Sequence, residues 1–452
     1  MTVPAAMASL EDPVEAARKV LAEHPLCDSC LGRLFGLAGY GFTNAERGRA
    51  LKTLLLMKAY DVVRGLVDRE VAISLARTGF KPAEDLLQKL GVERPERQAC
   101  YICGGLMERV SELAAMCVEA GKEYEHETFQ VGCRVPEDIS EREEKLWLAF
   151  QLSASESIKS EITREVGKLV QSATGKRYSL KDPDVVFVID VGAWSVSVIS
   201  RPVYIYGRYR KLVRGLPQNP WLRPPDPRVA YQSSIEELVT GPLVRLYKAE
   251  SAKLHAAGRE DVDVRTLGDG RPFVVEIRNP KVRNVDLKLA QDAVNRAAQG
   301  LVEVELLYPV SGKLVPKLKA YAEIARKTYV AVVKLSQSVD PSKVEALEKA
   351  LSGAVVSQRT PSRILGRKPD KVRKKVVYSV KARLLSPDTL ELTITCQGGL
   401  YVKELLHGDG GRTKPSVAEI LGVDVEVKEL DIVWIEEPAA IASFARRSEN
   451  AS

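Results

Sequence analysis

Residues 258–277 read GREDVDVRTLGDGRPFVVEI, charged at one end and apolar at the other. The alternation Asp261, Val262, Asp263, Val264, Arg265 predicts a strand with both carboxylates and the arginine on one face. RPFVVEI carries that strand onward. Such a face fits ordinary solvated surface. It fits equally an ionised aspartate held by a neighbouring cation, ready to attack or stabilise a sugar carbon. Position alone does not separate Asp261 from Asp263. LGDGRPF contains GxG, but neither GxxxxGK nor GxGxxG follows a strand here, so a nucleotide loop is not supported.

Around this stretch the C-terminal half is rich in strands. LVEVELLYPV (301–310), KTYVAVVKLS (327–336), KKVVYSVKARLL (374–385), TLELTITCQ (389–397) and VKELDIVWIEE (427–437) all carry the two-residue period or apolar runs. Helices are predicted at 284–298, 341–351 and 415–421. The mixture lacks regular βα alternation, which points to an α+β fold with a mostly antiparallel sheet. In KTYVAVVKL, Tyr329 shares a face with Ala331 and Val333, the pattern of a half-buried packing residue. QGGLYVKELLHGDGGRTKPSVAEILG (397–422) combines Tyr401, Lys403, a glycine turn and a helix opened at Pro415.

The N-terminal half reads differently. Helices are predicted at 12–24, at 44–66 capped by Thr43 or Asn44, at 82–90, and along 139–174. Residues 185–191 and 194–200 alternate as two strands around Gly192. YIYGRYRKLVRGLPQNPW then runs into a proline and tryptophan cluster, and a boundary is predicted near residue 216. Four of the seven cysteines form two pairs, Cys27 and Cys30 in CDSCLGR and Cys100 and Cys103 in CYICGG. A two-residue gap lets two thiolates reach one ion, and two such pairs complete a closed tetrahedral zinc site. Gly32 and Gly104 fit tight turns around the metal. The 69 residues between the pairs exceed a simple zinc ribbon, so they should form a helical insertion clamped by the metal. Four thiolates leave no open position for catalysis, and no glutamate follows His24 at the spacing a zinc deaminase needs. The metal role is structural. Cys117, Cys133 and Cys396 read as core.

At 452 residues the chain is long enough for about three folding units at ~150 residues each. It is 45% hydrophobic and 28% charged, which excludes collagen-like and wholly disordered classes. Neither a membrane-spanning run nor a secretory leader is seen, so the expectation is a cytoplasmic protein with no membrane association. The last residues, from Ser443, read as a frayed tail. A net charge of +7 permits a nucleic-acid partner without requiring one. Residues 359–375, RTPSRILGRKPDKVRKK, hold eight basic residues against Asp370. Pro361, Gly366 and Pro369 make that segment a loop suited to lying along phosphates.

Three segments taken together resemble the pseudouridine synthases. GRED (258–261) fits their GRxD element, KTY (327–329) their K-x-Y strand, and LYVKELL (400–406) their strand-to-helix segment with a basic residue. GRYRKLVRGLPQNPW and QRTPSRILGRK are similar to the Pus-ten type of tRNA pseudouridine synthase, which also carries paired CxxC elements and a THUMP region. The resemblance spans Cys27 to about Gly422. It implies a zinc and THUMP-containing tRNA-binding domain over residues 1–215 and a catalytic domain over 216–452. It selects Asp261 as catalytic, acting on the ribose as nucleophile or base, with Lys403 as its cation and Arg259 as a second. Tyr329 would stack on the target base and Tyr401 would line the pocket. Cys27, Cys30, Cys100 and Cys103 would hold zinc, and no organic cofactor is expected. The implied partner is tRNA, gripped at its acceptor end by residues 60–210 and modified at T-loop uridine 54, 55 or both by a monomer. An inactive tRNA-binding chaperone would be expected to lose the aspartate, the tyrosine or the basic partner. A THUMP-bearing methyltransferase or thiouridylase would need a methyl-donor or ATP loop, and neither is seen.

Overall fold

In a computed structural model, which describes residues 12–36, 41–61, 65–152, 155–221, 226–366 and 368–438, the chain divides between Arg201 and Pro202 into two units. Arg367 and the tail from Ser443 lie outside the described residues. Among the described residues, no helix is long and apolar enough to cross a membrane.

The first unit opens with α1 (Pro13–Glu23), α2 (Asp28–Leu34) and α3 (Asn44–Ala59), then the short pair β1 (Tyr60–Asp61) and β2 (Leu66–Val67), then α4 (Arg69–Arg77) and α5 (Lys81–Lys89). The elements from α3 to α5 form the helical insertion expected between the cysteine pairs. Thr43 and Glu46 close a capping box at the start of α3, which ends at Ala59 and not at 66. α2 and α3 cross at two glycines. A Cβ on Gly32 would lie 1.8 Å from the Asn44 carbonyl oxygen, and one on Gly48 1.9 Å from that of Asp28. Gly32 is therefore a helix–helix contact, not the metal-side turn expected for it. Gly104, at φ +56, is such a turn.

There follow α6 (Val110–Gly121), β3 (Thr128–Arg134), α7 (Glu137–Ala149), α8 (Ile158–Thr174), β4 (Arg177–Tyr178), β5 (Val185–Asp190) and β6 (Ser195–Ser200). β5 and β6 are the two expected strands, and β3 and β4 extend them into the order β4-β3-β5-β6. α8 buries Ile158, Ile162, Val166 and Val170, one stripe at four-residue spacing.

The second unit begins earlier than expected, because YIYGRYRK is a strand of its sheet. The elements are β7 (Val203–Lys211), α9 (Ile235–Leu246), β8 (Ser251–Ala256), β9 (Arg265–Arg278), α10 (Leu287–Ala298), β10 (Val302–Val310), α11 (Leu314–Tyr321) and β11 (Arg326–Leu335). They continue with α12 (Pro341–Leu351), β12 (Val355–Arg359), β13 (Val372–Ser386), β14 (Thr389–Gln397), α13 (Val402–His407), β15 (Thr413–Lys414), α14 (Val417–Leu421) and β16 (Val425–Ile435). The sheet runs β10-β7-β9-β16-β11-β14-β13-β12-β15, with β8 added on β9. β9 and β16 pair in parallel and the other neighbours antiparallel, so the mostly antiparallel α+β expectation holds. β9 serves two neighbourhoods. Arg265 and Thr266 pair with β16, while residues 271–277, with Thr266, pair with β7 and 273–278 with β8. The GDG between them is the bend. Gly268 and Gly270 have positive φ, and a Cβ would lie 1.9 Å from the Val433 carbonyl oxygen in one case and 2.6 Å from that of Tyr209 in the other. That bend carries the preceding turn, residues 259–264, to the edge where β9 meets β16.

Gly48→Ala has nowhere to place its methyl against the Asp28 carbonyl. It should force α2 and α3 apart and cost about 1–3 kcal/mol or more. The check is thermal unfolding, and an unshifted midpoint would contradict the close crossing.

Candidate functional site

Asp261 does not sit on a strand. Residues 261–264 form a turn closed by Val264 N–H donating to the Asp261 carbonyl at 3.1 Å. The buried Lys211 ammonium donates to the carbonyls of Asp261 (3.2 Å) and Val262 (2.6 Å), and Gly215 N–H donates to the latter at 2.9 Å. Those acceptors are unavailable to a ladder, so the alternation reads as strand and folds as a turn. Burial brings Lys211 down to about 8. Beneath the turn, Glu260 accepts from Tyr209 Oη at 3.0 Å and lies 2.8 Å from Arg271 Nε, too oblique for a hydrogen bond. Arg271 Nη1 donates to the Ala257 carbonyl at 2.8 Å. Gly258 leads into this layer at φ +87, where a Cβ would lie 3.1 Å from Lys327 Nζ and 3.2 Å from Arg271 Nη1. Only glycine fits there.

Lys403, in the first turn of α13, reaches both aspartates, but unequally. Its Nζ is 2.6 Å from Asp263 Oδ2 and 3.5 Å from Asp261 Oδ2. Burial pushes the Asp263 carboxyl up, but the Lys403 hydrogen bond and charge outweigh it and hold it below the ordinary range. The nearer cation to Asp261 is Arg363. Its Nη2 lies 3.1 Å from Asp261 Oδ2, its Nη1 donates to Oδ1 at 3.4 Å, and its Nε donates to Glu404 Oε1 at 2.7 Å. Arg259, expected as the second cation, is exposed and has no ion-pair partner among the described residues. The cation found beside Asp261 is instead Arg363, from the basic run, where nothing in the sequence set it apart. A cavity of about 360 Å³ opens beside this cluster, lined by Arg214, Asp263, Lys403 and His407.

Tyr329 lies on β11, between β14 and β16. Burial pushes its hydroxyl above the usual phenol range, with Cys396, Arg271, Glu260 and Asp261 all close enough to act on it. Lys327, two residues earlier, is buried, and burial with the Arg271 charge brings it down to about 7. Tyr401 is half-buried at the N-cap of α13. Gln358 brackets its backbone at 2.8 and 3.0 Å, and its hydroxyl accepts from Lys368 Nζ at 3.5 Å.

In the first unit the four cysteines converge. Their sulfurs lie within 4.8 Å of one another, Cys27 and Cys103 at 3.8 Å. Tetrahedral ligands at ~2.3 Å from zinc stand about 3.8 Å apart, so the donor set fits that ion. Tyr101 N–H donates to the Pro25 carbonyl at 2.8 Å, tying the two knuckles together. Arg33, fully buried, donates to Cys30 Sγ at 3.4 Å, to Glu143 at 2.8 Å and to Glu161 at 2.6 Å.

With that geometry in hand, comparison with known proteins is decisive. Residues 204–436 match the family described as Pus10, C-terminal, and residues 113–190 match the Pus10 THUMP domain, archaeal. A protein of Thermofilum pendens named tRNA pseudouridine synthase Pus10 is 52% identical, covering 95% of this chain and 96% of its own. Proteins of the same name from Methanothrix thermoacetophila and Pyrococcus furiosus are 41% and 37% identical, each covering 93% of this chain and 94% and 97% of their own. The chain belongs to the Pus10 family. A solved Cbf5-Nop10-Gar1 complex is 20% identical over 44% of each chain with a TM-score of 0.29, too slight a likeness to bear on the fold.

The Pus10 THUMP match contains both acidic partners of Arg33, Glu143 on α7 and Glu161 on α8. One buried guanidinium thus joins the cysteine centre to the THUMP region. Arg33→Met would strand two buried carboxylates, and should cost about 3–5 kcal/mol. A melting temperature within a degree of wild type would contradict that tie.

Proposed function

We propose that the protein is a cytoplasmic tRNA pseudouridine synthase acting as a monomer on T-loop uridines 54, 55 or both, without an organic cofactor. The N1–C1′ bond of the target uridine breaks, the base turns, C5 bonds to C1′ and gives up its proton, and N1 gains one. Asp261 acts on the ribose, as nucleophile at C1′ or base at C2′. The observation that carries this reading is the Asp261 carboxylate, one-third exposed and within 3.5 Å of two cations. That setting places the carboxylate beside two cations while leaving it open to a substrate. The uridine leaves its stack to reach it. Tyr329 stacks on the base and assists proton removal at C5, and Tyr401 lines the same pocket. The THUMP region grips the acceptor end of the tRNA, and structural zinc at Cys27, Cys30, Cys100 and Cys103 fixes that arm. The two domains then follow the division at Arg201.

Asp261→Asn keeps the shape and removes the charge. It should abolish pseudouridine, read by mass spectrometry after pseudouridine-specific derivatisation, while tRNA binding survives. Asp263→Asn should retain measurable turnover. Full product from Asp261→Asn, or loss confined to Asp263→Asn, would overturn the assignment.

Metal analysis of the purified protein should find one zinc per chain, and Cys100→Ser should lower both zinc content and thermal stability. A stable protein with no zinc would end the proposal of a zinc-fixed arm.

A further inference from the structure

The basic run at 359–375 looks from its sequence like a phosphate-binding surface, and one of its arginines is used otherwise. Arg363 turns its fork inward, with Nε on Glu404 at 2.7 Å and both Nη groups on Asp261 at 3.1 and 3.4 Å. Glu404 is 1% exposed, and its Oε2 has no hydrogen-bond partner among the described residues. A buried carboxylate with a single cation holds that cation firmly, since the alternative is an uncompensated charge. Arg363 is therefore fixed at one end and delivers its other end to Asp261.

The segment that carries Arg363 is itself braced. Ser362 donates from N to Asp409 Oδ2 at 2.9 Å and from Oγ to the other carboxylate oxygen. Arg412 donates to the Thr360 carbonyl at 2.9 Å and to Asp370 at 2.6 Å. Gln358, 2% exposed, ties the end of β12 to Tyr401 and Thr413. Lys403 cannot take over this duty, because its short contact is to Asp263, 0.9 Å closer than Asp261 (3.5 against 2.6 Å).

We infer that Arg363 is a positioning residue, which orients the Asp261 carboxylate and makes docking of the basic loop a condition for an aligned active site. The inference rests on the reading of Asp261 given above. A lysine cannot replace it, since a single ammonium does not reproduce a planar fork spanning two carboxylates.

The test is single-turnover kinetics on a tRNA transcript at saturating enzyme, with tRNA affinity measured across a salt series. The proteins are wild type, Arg363→Met, Arg363→Lys and the double variant Arg363→Met/Glu404→Gln. Arg363→Met should lose on the order of 100-fold in saturating rate, the scale of a misplaced reacting group. Its affinity should stay within about twofold and its salt slope should not change. Arg363→Lys should restore little of that rate. The double variant removes the stranded Glu404 charge, so it should regain stability and keep the same rate defect. Weaker binding with a salt slope reduced by about one and an intact saturating rate would make Arg363 a phosphate contact and overturn the inference. So would wild-type rates in all three variants, or recovery of rate along with stability in the double variant. A wild-type protein that makes no pseudouridine would instead sink the parent reading.

Discussion

Three carboxylates share two cations at the edge where β9 meets β16, and this part of the second unit is organised around that shortage. Asp263 takes the short bond to Lys403, Glu404 takes Nε of Arg363, and Asp261 receives the longer contacts of both. The two better-paired carboxylates anchor the cations, and the third keeps only the longer contacts. The elements that supply these groups are far apart in sequence, so the cluster needs the sheet. The β9 bend at Gly268 and Gly270 and the tie of Lys211 to the turn carbonyls place Asp261, while α13 and the loop after β12 bring the cations.

The first unit solves a similar problem with a different partner. Its two cysteine pairs are held at metal-binding distances by a knuckle-to-knuckle hydrogen bond, and the insertion between them packs through the Gly32 and Gly48 crossing. Arg33 then reaches from the cysteine centre to two buried glutamates in the THUMP match. A buried cation with three partners resists displacement, because removing it strands each of them.

Much of this was legible in the sequence, for physical reasons. Paired CxxC spacing encodes a metal geometry, and GRED carries a backbone demand, as the crowded position of Gly258 illustrates. What was not legible depended on tertiary partners. The Asp261–Val264 alternation satisfies a strand and a turn alike until Lys211 claims the carbonyls. Arg363 is one cation among eight in its run, and only the burial of Glu404 distinguishes it. YIYGRYRK reads as an approach to a linker because the proline cluster follows it, yet Ile205, Tyr206 and Tyr209 are fully buried in the second unit.

In the proposed reaction, Asp261 drives an isomerisation in which C5 of a tRNA uridine exchanges its hydrogen for the bond to C1′. Tritium release from a tRNA transcript labelled at uridine C5 tests it most directly. The wild-type protein should release tritium in proportion to the pseudouridine formed, and Asp261→Asn bound to the same tRNA should release none above background. Release by Asp261→Asn at the wild-type rate, or no release by the wild type, would contradict it.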